Sequence, residues 1–340
     1  MSRSISNFPL RATVIGAGVA GLTTALTLAE RGLAVEVVDR NAGLGPGSCS
    51  WHAGGMLAPW CEMASSEPIV GRLGASSLAW WRERFPGVVA KGTLVVAPAR
   101  DLTELDRFAR GTERYEWLGE PGLASLEPDL VGRFRKGLFF PEEGHLDPRR
   151  ALSALVERLT TLGVPIRYDT ELQPEAAAGD LVFDCRGLGG RTDMPGLRGV
   201  RGEMAVIRSR SFALSRPVRL LHPRLPGYLV PRGDGVFMLG ATMLESEASG
   251  PVSLRSMLDL LGAAFALHPA LGEAEILEFG ADLRPALPDN LPRVERTGRV
   301  IRVNGLFRHG FLLAPALARI AARAALDPHF DTELAHAHLA

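Results

Sequence analysis

The chain has 340 residues, room for two domains, and its 46% hydrophobic and 22% charged content is that of an ordinary globular protein. Its 38 basic residues balance its 38 acidic ones, and no Lys/Arg run marks the basic face that a nucleic-acid binder carries. Cys49, Cys61 and Cys185 are too few and too scattered for a disulfide framework or a zinc site, and no stretch reaches the roughly 20 apolar residues of a membrane span.

Taken in chain order, Ala12 to Ile15 reads as a buried parallel strand that runs straight into Gly16-Ala17-Gly18-Val19-Ala20-Gly21. Residues 19–31 follow as a helix with Leu22, Ala25, Leu26 and Ala29 on one face and Gly32 as its C-cap. Leu33 to Val38 is a second strand, ending at Asp39. The glycines have separate tasks: Gly16 permits the tight turn, Gly18 lets backbone approach a pyrophosphate, and Gly21 lets helix and strand pack closely. The helix N-terminus offers free N–H groups and partial positive charge to phosphates, and Asp39 is placed to bond ribose hydroxyls. An acid at this position argues against a 2′-phosphate and so against NADP. Because the apolar stretch from Ala12 to Ala29 contains this turn and leads into a second strand, it is not an export signal, and a cytoplasmic location is expected.

Where an NAD fold begins its second helix, residues 43–59 form a loop of small residues enclosing Trp51, Met56 and Leu57. A loop so bare of side chains suits backbone lying against a long, flat ligand. Further strands are expected at Thr93–Ala97, Pro165–Tyr168, Leu181–Asp184, Met204–Arg208, Tyr228–Pro231 and Val236–Gly240. Helices are expected at Pro148–Leu162, over 253–267 and at Leu312–Leu326. The strand at Leu181 runs into a second glycine turn, Arg186-Gly-Leu-Gly-Gly190. His329, His336 and His338 sit in an alanine-rich tail with nothing to complete a ligand set, so no metal is expected.

These stations, in order, resemble the D-amino-acid oxidase-like flavoproteins, and among them the glycine oxidases of thiamin biosynthesis. The resemblance is carried by the glycine turn with Asp39-Arg40, Ser50-Trp-His-Ala-Gly-Gly-Met-Leu57, Val200-Arg-Gly-Glu203 and Gly227-Tyr-Leu-Val-Pro-Arg232. Leu239-Gly-Ala-Thr-Met243, Leu283-Arg-Pro285 and Phe307-Arg-His-Gly-Phe-Leu-Leu-Ala-Pro315 complete it. It spans nearly the whole chain, although residues 84–140 match poorly and Pro223–Gly227 replaces a family loop over the active site. The implied fold is α/β: a Rossmann-like FAD-binding domain (1–75, 144–198 and 283–340) with an interleaved antiparallel-sheet substrate domain (76–143 and 199–282).

The implied cofactor is non-covalent FAD. Its expected neighbours are the turn residues Gly16 to Gly21, Asp39 and Arg40, then Ser48, Ser50, Ala53, Gly54, Gly55 and Met56 of the second loop. Gly187, Arg284 and the helix start at Gly310, Phe311 and Leu312 complete that set. A substrate carboxylate needs a planar donor pair, which Arg supplies and Lys does not. The resemblance puts that role on Arg284, assisted by Tyr228; Arg308 either closes the site from above or only pairs with an acid, and Met243, Met56 and His309 are the candidates to line a small pocket. In a chain whose only lysines are Lys91 and Lys136, an arginine alone says little, and an ion pair at Arg284 and a core ring at Tyr228 remain the structural alternatives.

The implied reaction is oxidation of glycine, sarcosine or a small D-amino acid, with oxygen as acceptor. Three alternatives stay open: a dehydrogenase passing electrons to a quinone or carrier, a non-catalytic flavin-binding partner protein, and an NAD-dependent dehydrogenase. Relatives are often oligomeric, so a homo-oligomer is carried as an expectation, as is a thiazole-pathway partner enzyme.

Overall fold

The structure is a computed structural model that describes residues 10–326; the histidines at 329, 336 and 338 lie outside them. The chain opens with β1 (Arg11–Ile15), α1 (Val19–Ala29) and β2 (Ala34–Val38). A 3-10 turn at Cys49–His52 leads to β3 (Met56–Leu57), α2 (Pro59–Glu62), α3 (Pro68–Gly74) and α4 (Ser77–Arg84). Next come β4 (Thr93–Val96), α5 (Leu102–Arg110), β5 (Glu116–Gly119), α6 (Glu120–Leu126), β6 (Lys136–Phe140) and β7 (Gly144–His145). They are followed by α7 (Pro148–Thr161), β8 (Ile166–Arg167), β9 (Leu181–Asp184) and β10 (Arg198–Arg208). The remainder is β11 (Val218–Leu220), β12 (Gly227–Gly233), β13 (Val236–Gly240), α8 (Leu254–Leu267) and β14 (Glu275–Ala286). β15 (Arg293–Thr297), β16 (Val300–Asn304) and α9 (Gly310–Leu326) close the described chain.

Two large sheets organise these elements. The first has the order β15-β16-β9-β1-β2-β8, parallel except at β15, and its central strands are buried aliphatic runs. The helix α1 was expected to show one apolar face. It is buried all round instead, from Val19 to Leu28, because it lies among the sheet, α7 and α9. Its threonines stay satisfied inside this core by back-bonding: the Thr23 hydroxyl donates to the Val19 carbonyl at 2.7 Å and Thr27 to Thr23 at 2.8 Å. Gly32, at φ +82°, closes the helix as a Schellman motif, with Gly32 N–H donating to Ala29 O and Leu33 N–H to Leu28 O.

The second sheet has the order β14-β10-β13-β12-β11-β4-β6-β5 and is antiparallel apart from the β11–β4 pair. One face, with Ala205, Ile207, Leu229, Phe237 and Leu239, buries itself against Met257, Leu260, Ala264 and Leu267 of α8. Period-2 alternation then directs Met204, Val230, Met238 and Tyr228 to the opposite face.

Several boundaries differ from expectation. β10 begins at Arg198 rather than Met204, and β14, absent from the sequence reading, is twelve residues long. Its 283–286 portion pairs with β10, so the expected segment border between 282 and 283 falls inside a strand of the second sheet. Within β14, Pro285 is extended, as tolerated at a sheet edge. Among the described residues, no helix is long and apolar enough to cross a membrane, and no group of His, Cys, Asp or Glu could hold a metal ion.

Candidate active site

A cavity of about 880 Å³ runs from the carboxyl ends of β1 and β2 to the second sheet. At its first end the turn after β1 is shaped by the absence of side chains. Gly16 sits at φ +107°, and a Cβ there would lie 2.5 Å from the Cys185 carbonyl oxygen. A Cβ on Gly21 would collide with the Gly16 carbonyl oxygen. Gly18 is the N-cap of α1 and has no capping side chain. The hydroxyl of Ser50 takes over that task from the second loop, accepting from Val19 N–H at 3.1 Å. Asp39 is buried and accepts from Ala17 N–H at 2.5 Å and Asn41 N–H at 2.7 Å, so it fixes the turn as well as facing the cavity.

The second loop lies along the middle of the cavity. Gly55, at φ +71°, leaves no room for a Cβ beside the Leu146 carbonyl oxygen. Arg232 pins the loop by donating to Leu146 O at 2.5 Å, Gly54 O at 2.9 Å and Ala53 O at 3.2 Å. Three carbonyls without an acid in this set hold a buried guanidinium, and burial lowers its pKa to about 10. From the other side α9 presents its N-terminus: Gly310, Phe311 and Leu312 line the cavity, and the first intrahelical bond is Leu313 N–H to His309 O. The interior Pro315 cannot donate to the Phe311 carbonyl, which accepts instead from Trp81 Nε1 at 2.8 Å and the Ser77 hydroxyl at 3.2 Å. The helix therefore begins at Gly310, two residues before the expected start.

At the far end the second sheet supplies the side chains. Arg284 from β14 lays its guanidinium flat over Gly202 of β10, where any Cβ would displace it. It donates to Thr242 O at 3.1 Å. No acid forms an ion pair with it among the described residues, and burial lowers its pKa. The Tyr228 ring fills the space left by Gly54 and Gly240: a Cβ on Gly240 would lie 2.8 Å from the ring. Burial raises the pKa of its hydroxyl, which stays protonated and able to donate to a carboxylate.

Next to Tyr228 lies a cluster the sequence reading missed. Glu62, the last residue of α2, accepts from Arg219 of β11 at 2.5 Å and pairs with Arg308 at 2.9 Å and His309 Nδ1 at 3.5 Å. Against the upward push of burial, Arg308, Arg219 and His309 hold the Glu62 carboxyl well below its ordinary range. Burial lowers His309 to about 4, so the ring is neutral at neutral pH, with Nε2 3.2 Å from the Ser66 hydroxyl. Arg308 also donates to Ser65 at 2.5 Å. Neither Glu62 nor Arg219 stands in a motif, and no local pattern announces them.

Most of the expected site residues converge here. Of the cofactor set, Ala17 and Gly21 stand behind the turn and the others line the cavity: Gly16, Gly18, Val19, Ala20, Asp39, Arg40, Ser48, Ser50, Ala53, Gly54, Gly55, Met56, Gly187, Arg284, Gly310, Phe311 and Leu312. Tyr228, Arg308, His309 and Met243 line it too, but Met243 is 57% exposed and forms rim rather than pocket wall. His309 lines the cavity while being buried against Glu62.

A glycine cradle at the end of a parallel sheet, open to a polar pocket on a second sheet, defines a dinucleotide-dependent oxidoreductase. The profile of the DAO family, FAD dependent oxidoreductase, matches residues 11–324, and the chain belongs to that family. A protein of Rhizobium etli named for thiamine biosynthesis, the oxidoreductase ThiO, is 53% identical over 95% of this chain and 99% of its own length. A Synechocystis protein named bifunctional ThiO/ThiG is 28% identical over 92% of this chain, which spans 51% of that longer protein. The crystal structure of glycine oxidase from Geobacillus kaustophilus superposes with a TM-score of 0.78 at 24% identity, covering 95% of this chain and 97% of the other. The protein is thus an FAD-dependent oxidoreductase whose cofactor is bound non-covalently. The cradle fits that cofactor on physical grounds: the turn and second loop exclude side chains where the ligand backbone must approach, and two sets of free helix N–H groups face the cavity.

Proposed function

We propose that this enzyme oxidises glycine or another small amine acid, such as sarcosine or a small D-amino acid, to the imine, which hydrolyses to the keto acid and ammonia, or methylamine in the case of sarcosine. FAD, when bound, supplies the acceptor at N5 for the hydride leaving Cα, and reoxidation by oxygen yields hydrogen peroxide. The observation that carries this reading is Arg284, a guanidinium free of any acid partner among the described residues, set over Gly202 within the same pocket as Tyr228. A planar fork with open donors is the group that a substrate carboxylate requires. Tyr228 adds a second donor, and the two together orient Cα rather than move protons. None of the residues around Tyr228 is needed as a base, since the amine can release its proton to solvent before the hydride leaves. The N-terminus of α9 favours negative charge developing on the side of the cavity it faces. Arg232 fixes the loop at Ala53 and Gly54 where it lines the cavity.

In this reading FAD contacts fall to the residues of the turn, the second loop, Gly187 and α9. The discontinuous division of the chain, with 1–75, 144–198 and the C-terminal part against 76–143 and 199 onward, belongs to the same proposal once its last border is moved from 282/283 to the end of β14 at Ala286. So does service to thiamin thiazole synthesis beside a thiazole-forming partner enzyme, supported by the names of the Rhizobium and Synechocystis relatives. Anaerobic titration with glycine, sarcosine and D-alanine, following the flavin bands, tests the chemistry. Bleaching by one of them is expected; a spectrum that stays oxidised with all three rejects it. Peroxide formed in air then separates an oxidase from a dehydrogenase that uses another acceptor.

A further inference from the structure

Around the Tyr228 hydroxyl, positive charge exceeds negative by more than one carboxylate can balance. Arg219 of β11 pairs directly with Tyr228 of β12, which pairs with Gly240 of β13, so the three lie in one row across the sheet. Adjacent strands are about 4.8 Å apart. Arg284 reaches into this row from the opposite edge, over Gly202 to the Thr242 carbonyl. Both guanidinium groups line the cavity that Tyr228 also lines. The charged groups acting on the Tyr228 hydroxyl are Arg284, Arg219, Glu62 and Arg308, three cations and one anion. His309, held neutral by burial, adds nothing to the balance at neutral pH. Glu62 is shared between Arg219 and Arg308, and both arginines line the cavity. The other nearby acids do not restore balance. Asp282 lies among Arg40, His52 and Arg284; Glu143 acts on Arg219 but is raised by burial to about 7, so it is only partly ionised at neutral pH.

We propose that Arg219 forms a second anion subsite, so that the preferred substrate is an amino acid carrying a second carboxylate, one on Arg284 and the other on Arg219. This rests on the reading of the cavity as an amine-acid oxidising site. Two cavity-lining guanidinium groups that share one acid leave positive charge in excess, and a second carboxylate would match it with the planar geometry that Arg recognises. The same arrangement penalises a substrate with an uncharged or cationic side chain at that end of the pocket.

The test compares flavin reduction and kcat/KM of the holoenzyme with glycine, D-aspartate, D-glutamate and iminodiacetate. At least one dicarboxylate is expected to exceed glycine by about tenfold or more, the order expected of one added charge-assisted pair. In Arg219→Met the loss for that dicarboxylate should exceed the loss for glycine by at least about tenfold, mainly through KM, and Arg219→Lys should recover part of it. If Arg219→Met does not fold, the comparison of Arg219→Lys with wild type carries the test. Reduction by glycine with no faster reduction by any dicarboxylate, or equal losses for both substrates, overturns the second subsite and leaves the oxidase reading intact. Failure of all four compounds to reduce the flavin overturns the second subsite, and the oxidase reading then falls only if sarcosine and D-alanine fail as well.

Discussion

The two ends of the cavity are built by opposite means. The end at β1 and β2 is made of backbone, and its specificity lies in what is missing: Cβ atoms at Gly16, Gly18 and Gly21. The end at the second sheet is made of long side chains from α2, β11, β12 and β14, with Glu62, Arg219, Tyr228 and Arg284 held within reach by strand register. A site of the first kind must be contiguous, because a turn is a local object. One of the second kind has no such requirement, since a sheet can bring any two strands side by side. The first tolerates almost no added atoms, whereas the second should respond to lost charges in a graded way.

The sharpest break of this contrast is Gly21→Ala. Its methyl group meets the Gly16 carbonyl, which is itself fixed by the Gly16 N–H bond to Val38 O. Backbone on both sides cannot yield, so a destabilisation of about 3–5 kcal/mol and loss of FAD from the purified protein are expected. A yellow variant of normal thermal stability would show that the helix can withdraw from the turn.

Changing Arg284 to Ala should leave FAD bound but lower kcat/KM for the substrate by about 10²–10³-fold, the effect of removing one partner of a buried charge-assisted pair, and mostly by raising KM. Unchanged kinetics would remove Arg284 from the site. The pair of outcomes sharpens the comparison: at one end a methyl added should abolish binding of the cofactor, and at the other a charge removed should cost only the substrate.

A smaller effect probes the support behind the second sheet. Glu143 is fully buried, accepts from Cys61 N–H at 2.8 Å, and is pushed by burial to a pKa of about 7. A carboxyl whose folded pKa lies above its ordinary value contributes its stability at low pH and loses it as pH rises through about 7. Glu143→Gln imitates the protonated form at all pH values. The variant should match wild type near pH 5 and exceed it at pH 8 by about 1–2 kcal/mol, read from thermal unfolding at the two pH values. A wild type that is equally stable at both would show that Glu143 is ionised in the fold.

How much of this was legible in the sequence follows the same division. β9 and β13 are found at their expected residues, and the interior of the first sheet is close to expectation, because buried parallel strands and glycine turns are written in consecutive residues. β14 was not legible: its Ile276, Leu277 and Phe279 are partly exposed at a sheet edge, and its alternation is broken by Gly280 and Pro285. Met243 reads as pocket lining but lies at the rim, since the loop after β13 carries it outward. His309 lines the cavity, but only the fold shows that its Nδ1 faces Glu62.

By itself the sequence determined the dinucleotide unit, its acid at Asp39 and the helix that follows His309, because each depends on spacing along a few turns of chain. Its resemblance to relatives singled out Arg284 and Tyr228. Only the tertiary structure decided that Ser50 caps α1, that Arg232 pins the second loop, and that Glu62 gathers Arg219, Arg308 and His309 around Tyr228. Each of those contacts joins residues far apart in the chain. The charge of a side chain is a property of sequence, but its partner is a property of packing.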